Sequence, residues 1–454
     1  MLRLWQPPRR MEAFRPSFPP CPLAREVTAL ALSLWLLAGV AGLRAVEPQK
    51  LTLAEARAAA VRTHPRIAAG DARARAAREA ITQARANYFP TLTANFTATG
   101  SADQNNTRIG ATGTFGTTQV YDHAAIGINA SQLLTDFGRT ENQVEATRQK
   151  SLIEDTFVRT LRRQVELQVA VAYFTVLQAQ RVRDVAKQTV ATREVVLQLV
   201  SALAKHQLKS ELDVSFARVS VEEARLLLAR AVSELESGHT ELSILLGQRE
   251  PRRYELAEEA LPADLPGDVS PLVSQALGER PRLIRLRAEL AAATAQSRAD
   301  RALHYPTVSA IGGVGLMPVR DRRLNDNYAA GGVVVSLPLF NGGRDTARQR
   351  EAEFKAQAAA ENLRDEENNI IRDVRVAYLK AQHAHERLDL TAKLLLHART
   401  AHDLATARYK LGASSITELS QAQLNLISAE ITEASAKYDY LLQRAVLDFH
   451  RGGR

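Results

Sequence analysis

The chain has 454 residues, of which 45% are hydrophobic and only 5% are aromatic. A composition rich in alanine, leucine and charged residues but poor in aromatic ones favours long helices over a single aromatic-rich core. The formal charge of +9 is spread over both signs without a block of lysine and arginine, which argues against a nucleic-acid partner.

The N-terminal stretch, residues 1–45, is predicted to be an export signal. An apolar run over residues 27–43 follows an arginine-containing leader and precedes small residues suited to cleavage. An uncleaved membrane anchor is the alternative, because about 17 apolar residues approach the minimum for a spanning helix. The only cysteine, Cys21, lies ahead of this run, so the exported chain would contain no disulfide and no cysteine-based metal site.

The rest of the sequence contains two copies of one unit. The first repeat is expected over residues 51–247 and the second over 272–454. Residues 248–271, rich in proline and charged residues, are expected to form a connecting equatorial loop between them. At an offset of 205 residues, the aligned positions include Gly138 with Gly343, Arg139 with Arg344, Tyr173 with Tyr378, and Asp213 with Glu418.

The first repeat predicts four elements in order. A helix over 53–87 precedes a β-hairpin over 91–134, in which two runs alternate apolar and polar residues. A long helix over 139–205 and a return helix over 213–246 follow. Because the long helix spans about 100 Å and the return helix only about half of that, a second short helix must complete the distance.

The second repeat predicts the same series. Its elements are a helix over 272–303, a β-hairpin over 307–339, a long helix over 344–410 and a return helix over 416–449. The predicted fold class is therefore mainly α with a small β part, built from a duplicated unit of strand hairpin and long helix.

Two prolines and two glycines mark the joints between helices and strands. Pro90 and Pro306 are expected to end each helix where the first strand begins, because proline cannot continue the helical hydrogen bonds. Gly138 and Gly343 are expected at the tight corners where each hairpin returns to a long helix, since glycine permits backbone conformations that other residues avoid.

The long helix 139–205 carries a coiled-coil seam. Twelve positions from 165 to 204 are spaced alternately by four and three residues, and ten of them are apolar, the exceptions being Arg183 and Arg193. A second set at the same spacing lies on another face, so this helix is expected to have neighbours on both sides.

Four strands cannot form a closed barrel, and an open sheet edge is not tolerated in lipid. Several chains must therefore combine their strands. Two chains would give eight strands, whose interior is filled by side chains, whereas three would give twelve and leave a lumen. A conduit therefore favours a homotrimer.

The ordered, duplicated motifs resemble those of the TolC-like outer-membrane efflux proteins. They are the "HP" at 64–65 with its "RP" partner at 280–281, "NYFPTL" at 87–92, "HYPTV" at 304–308, "LPLFNGGR" at 337–344, and "YKLGASSITELSQAQLNLISAE" at 409–430. The resemblance implies a trimeric, 12-stranded transmembrane β-barrel in the outer membrane, continued by a periplasmic tunnel of coiled-coil helices.

The resemblance also implies partners and a role. The chain would be the outer-membrane exit duct of a tripartite efflux or type I secretion system. It would pass small molecules or proteins from an inner-membrane transporter of the RND, ABC or MFS type, through a periplasmic adaptor, to the exterior.

The family's acidic periplasmic aperture can be carried over to matching residues. Glu418 would supply one acidic ring, and Gln421 stands where some members have a second acidic residue. Asp213 is the counterpart of Glu418 in the first copy, and Tyr409 matches a tyrosine of the family's tip network. The arginine expected near Ser414 is missing. Helix capping is the alternative role for the two carboxylates.

Two other classes of function fit the sequence less well. A periplasmic or inner-membrane-anchored coiled-coil scaffold or adaptor without a pore would explain the seams but not the four alternating strands. An enzyme is not predicted, because the scattered histidines have no metal-ligand spacing and no phosphate-binding glycine loop is present. No cofactor, catalytic residue or metal site is therefore expected.

Overall fold

A computed structural model describes residues 50–99, 108–110, 117–119, 123–262, 265–319 and 325–452. The export signal expected over residues 1–45, with Cys21, lies outside the described residues. Within the described ranges, no helix combines the length and apolar character needed to cross a membrane.

Eight α-helices account for most of the described chain. They are α1 (Leu53–Thr63), α2 (Pro65–Ala86), α3 (Arg139–Lys205), α4 (Glu211–Leu245), α5 (Ser270–Glu279), α6 (Pro281–Arg301), α7 (Arg344–Lys410) and α8 (Ile416–Arg451). The strands are β1 (Lys50–Leu51), β2 (Thr91–Thr99), β3 (Arg108–Gly110), β4 (Thr117–Gln119), β5 (His123–Thr135), β6 (Glu255–Leu256), β7 (Thr307–Val319) and β8 (Asn327–Ser336).

The first helix of each repeat is broken in two, so the prediction of single helices over 53–87 and 272–303 was wrong. The breaks lie at His64, with φ −69° and ψ 121°, and at Arg280, with φ −66° and ψ 121°. Each of these residues precedes a proline, which disfavours the helical conformation at the preceding residue. The prolines then occupy the first turn of α2 and α6, where their missing N–H is tolerated.

One four-stranded antiparallel sheet has the order β2–β5–β7–β8. Strands β2 and β8 are its two edges in the described part of the chain. Its two faces differ, because side chains alternate along each strand. The apolar face carries the exposed residues Leu92, Phe96, Ile126, Ile128, Val314, Leu316, Val333 and Val335. The other face carries Thr, Asn, Ser and Gly residues on β2 and β5.

Helix α3 is the centre of the helical part and packs against α2, α4, α6 and α8. The twelve seam positions between 165 and 204 are all buried or half-buried. Arg193 in this seam is only 5% exposed, and its Nη1 donates to the carbonyl of Ser220 and lies 3.2 Å from Oε2 of Glu223. The buried charge is tolerated because the guanidinium is paired with these two groups of α4.

Each helix packs against defined lateral neighbours. Near the sheet, α2 packs on α3, α3 on α6, and α6 on α7. Away from the sheet, α4 packs on α3, α3 on α8, and α8 on α7. We call β2, α2 and α4 the first flank of the chain, and β8 and α7 the second flank.

The connecting segment 248–271 is more ordered than the expected loop. Its short strand β6 pairs in parallel with β1. The fully buried hydroxyl of Tyr173 lies 2.6 Å from the carbonyl oxygen of Ala257, and that of Tyr378 donates to the carbonyl of Pro266 at 2.6 Å. Tyrosines at equivalent positions of the two repeats thus both hold this segment. Burial raises the pKa of Tyr173 to about 12, so its hydroxyl remains a donor.

Candidate functional site: the pore elements

Both corners between the sheet and the long helices lie at a glycine with positive φ. Gly138 precedes α3 with φ 88°, and Gly343 precedes α7 with φ 79°. In the first corner, the carboxylate of Asp136 accepts hydrogen bonds from the backbone N–H of Thr140 at 2.8 Å and from its hydroxyl at 2.6 Å. The side chain thus satisfies a free amide at the start of α3, while the glycine conformation redirects the chain.

Pro90 and Pro306 stand directly before β2 and β7. The preceding helices α2 and α6 end several residues earlier, so the prolines start the strands rather than terminate the helices. The rings of Phe137 and Tyr305 lie 5.7 Å apart, which joins the first corner to the helix-to-strand joint of the second repeat. Exposed aromatic residues collect at this level, namely Tyr88, Phe89, Phe137, Tyr305 and Phe340. Such a belt is typical of the membrane interface of outer-membrane barrels.

At the opposite end, the turns 206–210 and 411–415 and the adjoining helix ends form what we call the tip. Apolar residues of both helical hairpins pack together there, with Tyr409, 2% exposed, as the largest side chain. The amine of Lys209 lies 4.5 Å from the centroid of the Tyr409 ring and so links the two turns. The cluster consists of Val200, Ala217, Ala405, Tyr409, Ile416 and Leu419.

Asp213 acts as a helix cap. Its carboxylate accepts a hydrogen bond from the N–H of Ser210 at 3.2 Å, and the Ser210 hydroxyl accepts one from the N–H of Asp213 at 3.2 Å. This reciprocal pair satisfies free amides at the start of α4. Burial and, second to it, the charge of Asp213 raise the pKa of Tyr409.

Glu418 differs from Asp213 in its contacts. Its backbone N–H donates to the hydroxyl of Ser415 at 3.2 Å, so the serine alone caps α8. The exposed carboxylate of Glu418 instead lies 3.7 Å from Nη1 of Arg408. Gln421, one turn further along α8, is exposed and donates to Oδ1 of Asn425 at 3.0 Å. The structure therefore pairs Asp213 with Ser210 in the cap of α4, and brings Glu418 to Arg408.

Sequence reasoning missed Lys209 and Arg408. The resemblance led us to expect an arginine near Ser414, in the turn itself, whereas Arg408 lies in the last turn of α7. Basic residues at helix C-termini are common for dipole reasons alone, so Arg408 gave no distinct signal, and Lys209 is a single lysine in a turn. In the described ranges, no group of three or more His, Cys, Asp or Glu residues is placed to hold a metal ion.

The chain matches the family described as outer membrane efflux protein over residues 55–248 and 272–453. CusC of Escherichia coli, described as a cation efflux system protein, is 26% identical over 332 residues, which cover 71% of this chain and 71% of CusC. TolC of Escherichia coli is 22% identical over 344 residues, covering 70% and 69% of the two chains. TtgC of Pseudomonas putida, described as a toluene efflux pump outer membrane protein, is 27% identical over 359 residues, covering 76% and 71%.

Solved structures show the same fold. Crystal structures of CusC superimpose with a TM-score of 0.76 at 22% sequence identity, covering 90% of this chain and 93% of CusC. The outer membrane protein VceC from Vibrio cholerae gives a TM-score of 0.77 at 20% identity, covering 88% and 96%. The predicted fold class, mainly α with a small β part, is confirmed by this agreement.

The fold and these comparisons define a channel protein of the outer membrane with a helical extension in the periplasm. More particularly, the chain belongs to the outer membrane efflux protein family. It is the outer-membrane channel of a tripartite efflux system, and the alternative of a poreless scaffold finds no support.

Proposed function

We propose that three copies of this chain close into a single duct, which receives cargo from an inner-membrane pump through a periplasmic adaptor. The observation that carries this proposal is the open four-stranded sheet. Strands β2 and β8 each have an unpaired edge in the described part of the chain, and lipid does not tolerate such edges. Pairing β8 of one copy with β2 of the next removes both edges and yields twelve strands from three copies.

The helical flanks support the same arrangement. The first flank exposes an apolar stripe on α4, and the second flank exposes another on α7. Because the two stripes differ, the contact between copies is head-to-tail, and such contacts generate rings. The α4 stripe consists of Leu212, Phe216, Val219 and Leu226, and the α7 stripe of Leu390, Leu394 and Leu404.

Cysteine cross-linking between the flanks tests the proposal. Leu226 on α4 and Leu394 on α7 are both exposed and each lies about 23 Å from the tip along its helix. With Leu226→Cys and Leu394→Cys in one chain, a short bifunctional thiol-reactive cross-linker is expected to give covalent dimers and trimers on denaturing gels. Each single variant is the matched control and should remain monomeric. Products that stop at the dimer, or no product, would refute the ring.

At the tip, Glu418 of each copy is assigned to the aperture, with Gln421 one turn behind it. The exposed carboxylate of Glu418 supports this role, because it is not used in the helix cap. A ring of three carboxylates around a narrow axis favours cations and binds them strongly enough to slow their passage. Asp213 is assigned mainly to capping, and Tyr409 to the apolar cluster that holds the two turns together.

The cargo class is proposed to be small molecules, with selection made by the pump. The relatives CusC and TtgC are named for cation and toluene efflux respectively, at similar identity to this chain. Beyond residue 21 the chain has a single methionine, Met317, and no cysteine, so it contains no cluster of sulfur ligands for a soft metal cation. The pump is expected to be of the RND, ABC or MFS type. Co-purification of the native complex, followed by mass spectrometry, would identify it.

A further inference from the structure

Two glycines and a tyrosine form a row across the polar face of the sheet. Gly127 on β5 is paired with Gly315 on β7, and Gly315 is paired in turn with Tyr328 on β8. These three residues share one face, because side chains of directly paired residues project to the same side. Their chain neighbours Ile126 and Val314 project to the apolar face. In a closed barrel with its apolar face toward lipid, the row therefore faces the lumen.

The ring of Tyr328 lies across both glycines. A Cβ atom added to Gly315 would stand 2.6 Å from Cε1 of Tyr328, and one added to Gly127 would clash with the Tyr328 hydroxyl oxygen. Neither glycine has a positive φ, so the backbone conformation does not require glycine at these positions. The neighbouring atoms require it: the ring of Tyr328 at both positions and, at Gly315, also the backbone oxygen of Ile126. Tyr328 is 38% exposed, so its ring covers the glycines on one side and remains accessible on the other.

We propose that Gly127 and Gly315 form a recess that keeps Tyr328 flat against the barrel wall, and that this recess keeps the barrel lumen wide at this level. The inference rests on the proposed closure of three copies, which places three such rings around one lumen. A tyrosine ring raised from the wall in each copy would narrow the passage at one level. The same ring lying over glycine leaves the passage open and stiffens a stretch of strand that lacks side chains.

The recess can be filled selectively at Gly127. In Gly127→Ala the new methyl group occupies the position of the Tyr328 hydroxyl, and the carbonyl oxygen of Val314, 3.0 Å from it, limits backbone adjustment. The ring must therefore turn away from the wall and into the lumen. Gly315 is less suitable for the test, because its added Cβ would lie 2.6 Å from the backbone oxygen of Ile126.

Single-channel conductance of the full protein in planar bilayers tests the proposal. Gly127→Ala is expected to lower the conductance, whereas Tyr328→Ala is expected to equal or exceed the wild type. Adding Gly127→Ala to Tyr328→Ala should cause no further loss. Gly331→Ala is the matched control on the apolar face, where the nearest atom to an added Cβ is 3.8 Å away, and should leave conductance unchanged.

Two outcomes would overturn the proposal. One is unchanged conductance in Gly127→Ala, and the other is an equal loss in the Tyr328→Ala background.

If Gly127→Ala does not assemble, Tyr328→Cys provides a separate test. A thiol-reactive reagent should reduce the conductance of Tyr328→Cys. The same reagent should have no effect on Val333→Cys, because that residue faces the apolar side. Equal reagent effects at both positions would refute a lumenal Tyr328. A wild type without any conductance would refute the duct itself rather than the recess.

Discussion

Arg408 and Glu418 face each other across the turn between α7 and α8, with Nη1 of the arginine 3.7 Å from Oε1 of the glutamate. Their side chains are 60% and 45% exposed. An exposed ion pair contributes only about 0–1 kcal/mol to stability and leaves the carboxylate accessible to cations. The pair therefore adjusts the charge at the tip without locking the two helices together.

Replacing Glu418 tests its place in the aperture. Glu418→Ala is expected to weaken the block of single-channel conductance by divalent cations, because the acidic ring is lost. Arg408→Gln is expected to strengthen the block, since the carboxylate loses its counter-charge. Asp213→Asn is the control and should leave the block unchanged, because that carboxylate is engaged with the amide of Ser210. Unchanged block in Glu418→Ala would place this residue away from the pore.

Tyr409 is expected to act through its ring and not through its hydroxyl. The hydroxyl is buried and has no hydrogen-bond partner among the described residues. Tyr409→Phe should therefore keep the stability of the tip, whereas Tyr409→Ala should cost about 3–5 kcal/mol by leaving a cavity. Lys209→Met should cost about 0.5–1 kcal/mol by removing the contact between the amine and the ring. Hydrogen exchange of the turns 206–210 and 411–415 measures these effects, and equal protection in all variants would contradict them.

The two equivalent tyrosines at the connecting segment are expected to differ in importance. Tyr173 is fully buried and its hydroxyl reaches the carbonyl oxygens of Leu51 and Ala257, whereas Tyr378 is only partly buried. Tyr173→Phe removes the hydroxyl donor to the carbonyl oxygen of Ala257 and should cost about 1–3 kcal/mol, although the carbonyl oxygen of Leu51 still accepts from the N–H of Ala257. Tyr378→Phe should cost less, because water can reach the carbonyl of Pro266. Urea unfolding of both variants makes the comparison, and a larger loss for Tyr378→Phe would be inconsistent with this packing.

Glu258 is expected to make the connecting segment sensitive to acid. It receives a hydrogen bond from Lys437 at 3.0 Å and pairs with Arg181, so it ties the segment to α8 and α3. The hydrogen bond from Lys437 is the main cause that lowers the pKa of Glu258 below its usual value of 4.5. Because the charged form is favoured in the fold, this stabilisation is complete above about pH 4.5 and is lost as the pH falls through the lower, folded pKa.

Hydrogen exchange of residues 255–262 should therefore accelerate as the pH is lowered below that value. Exchange rates must be corrected for the intrinsic effect of pH. In Glu258→Gln the corrected exchange should be faster at neutral pH and nearly independent of pH. A variant that retains the full acid response would show that another group controls this segment.

Much of the helical part could be predicted from the sequence. The bounds of α3 and α7 coincide with the expected 139–205 and 344–410, because each helix starts at a corner glycine and carries a regular apolar spacing. The breaks at His64 and Arg280 were also encoded in the sequence, since each residue precedes a proline. They were missed because the apolar pattern continues on both sides and outweighed the local signal.

The features that could not be predicted depend on contacts between distant residues. Strands β1 and β6 contain two residues each, which is too short for any periodicity to show. The position of Tyr328 over Gly127 follows from the register of three strands, and an isolated glycine in a strand gives no indication of what covers it. At the tip, Asp213 and Glu418 make different side-chain contacts, although the two residues occupy equivalent positions in the repeats.

Electron microscopy of the detergent-extracted protein is the direct test of the three-copy duct. We expect a particle with threefold symmetry and a central hole, in which β8 of each copy pairs with β2 of the next to give twelve strands. A single-copy particle without a central hole, or a ring whose strands close in another order, would contradict it.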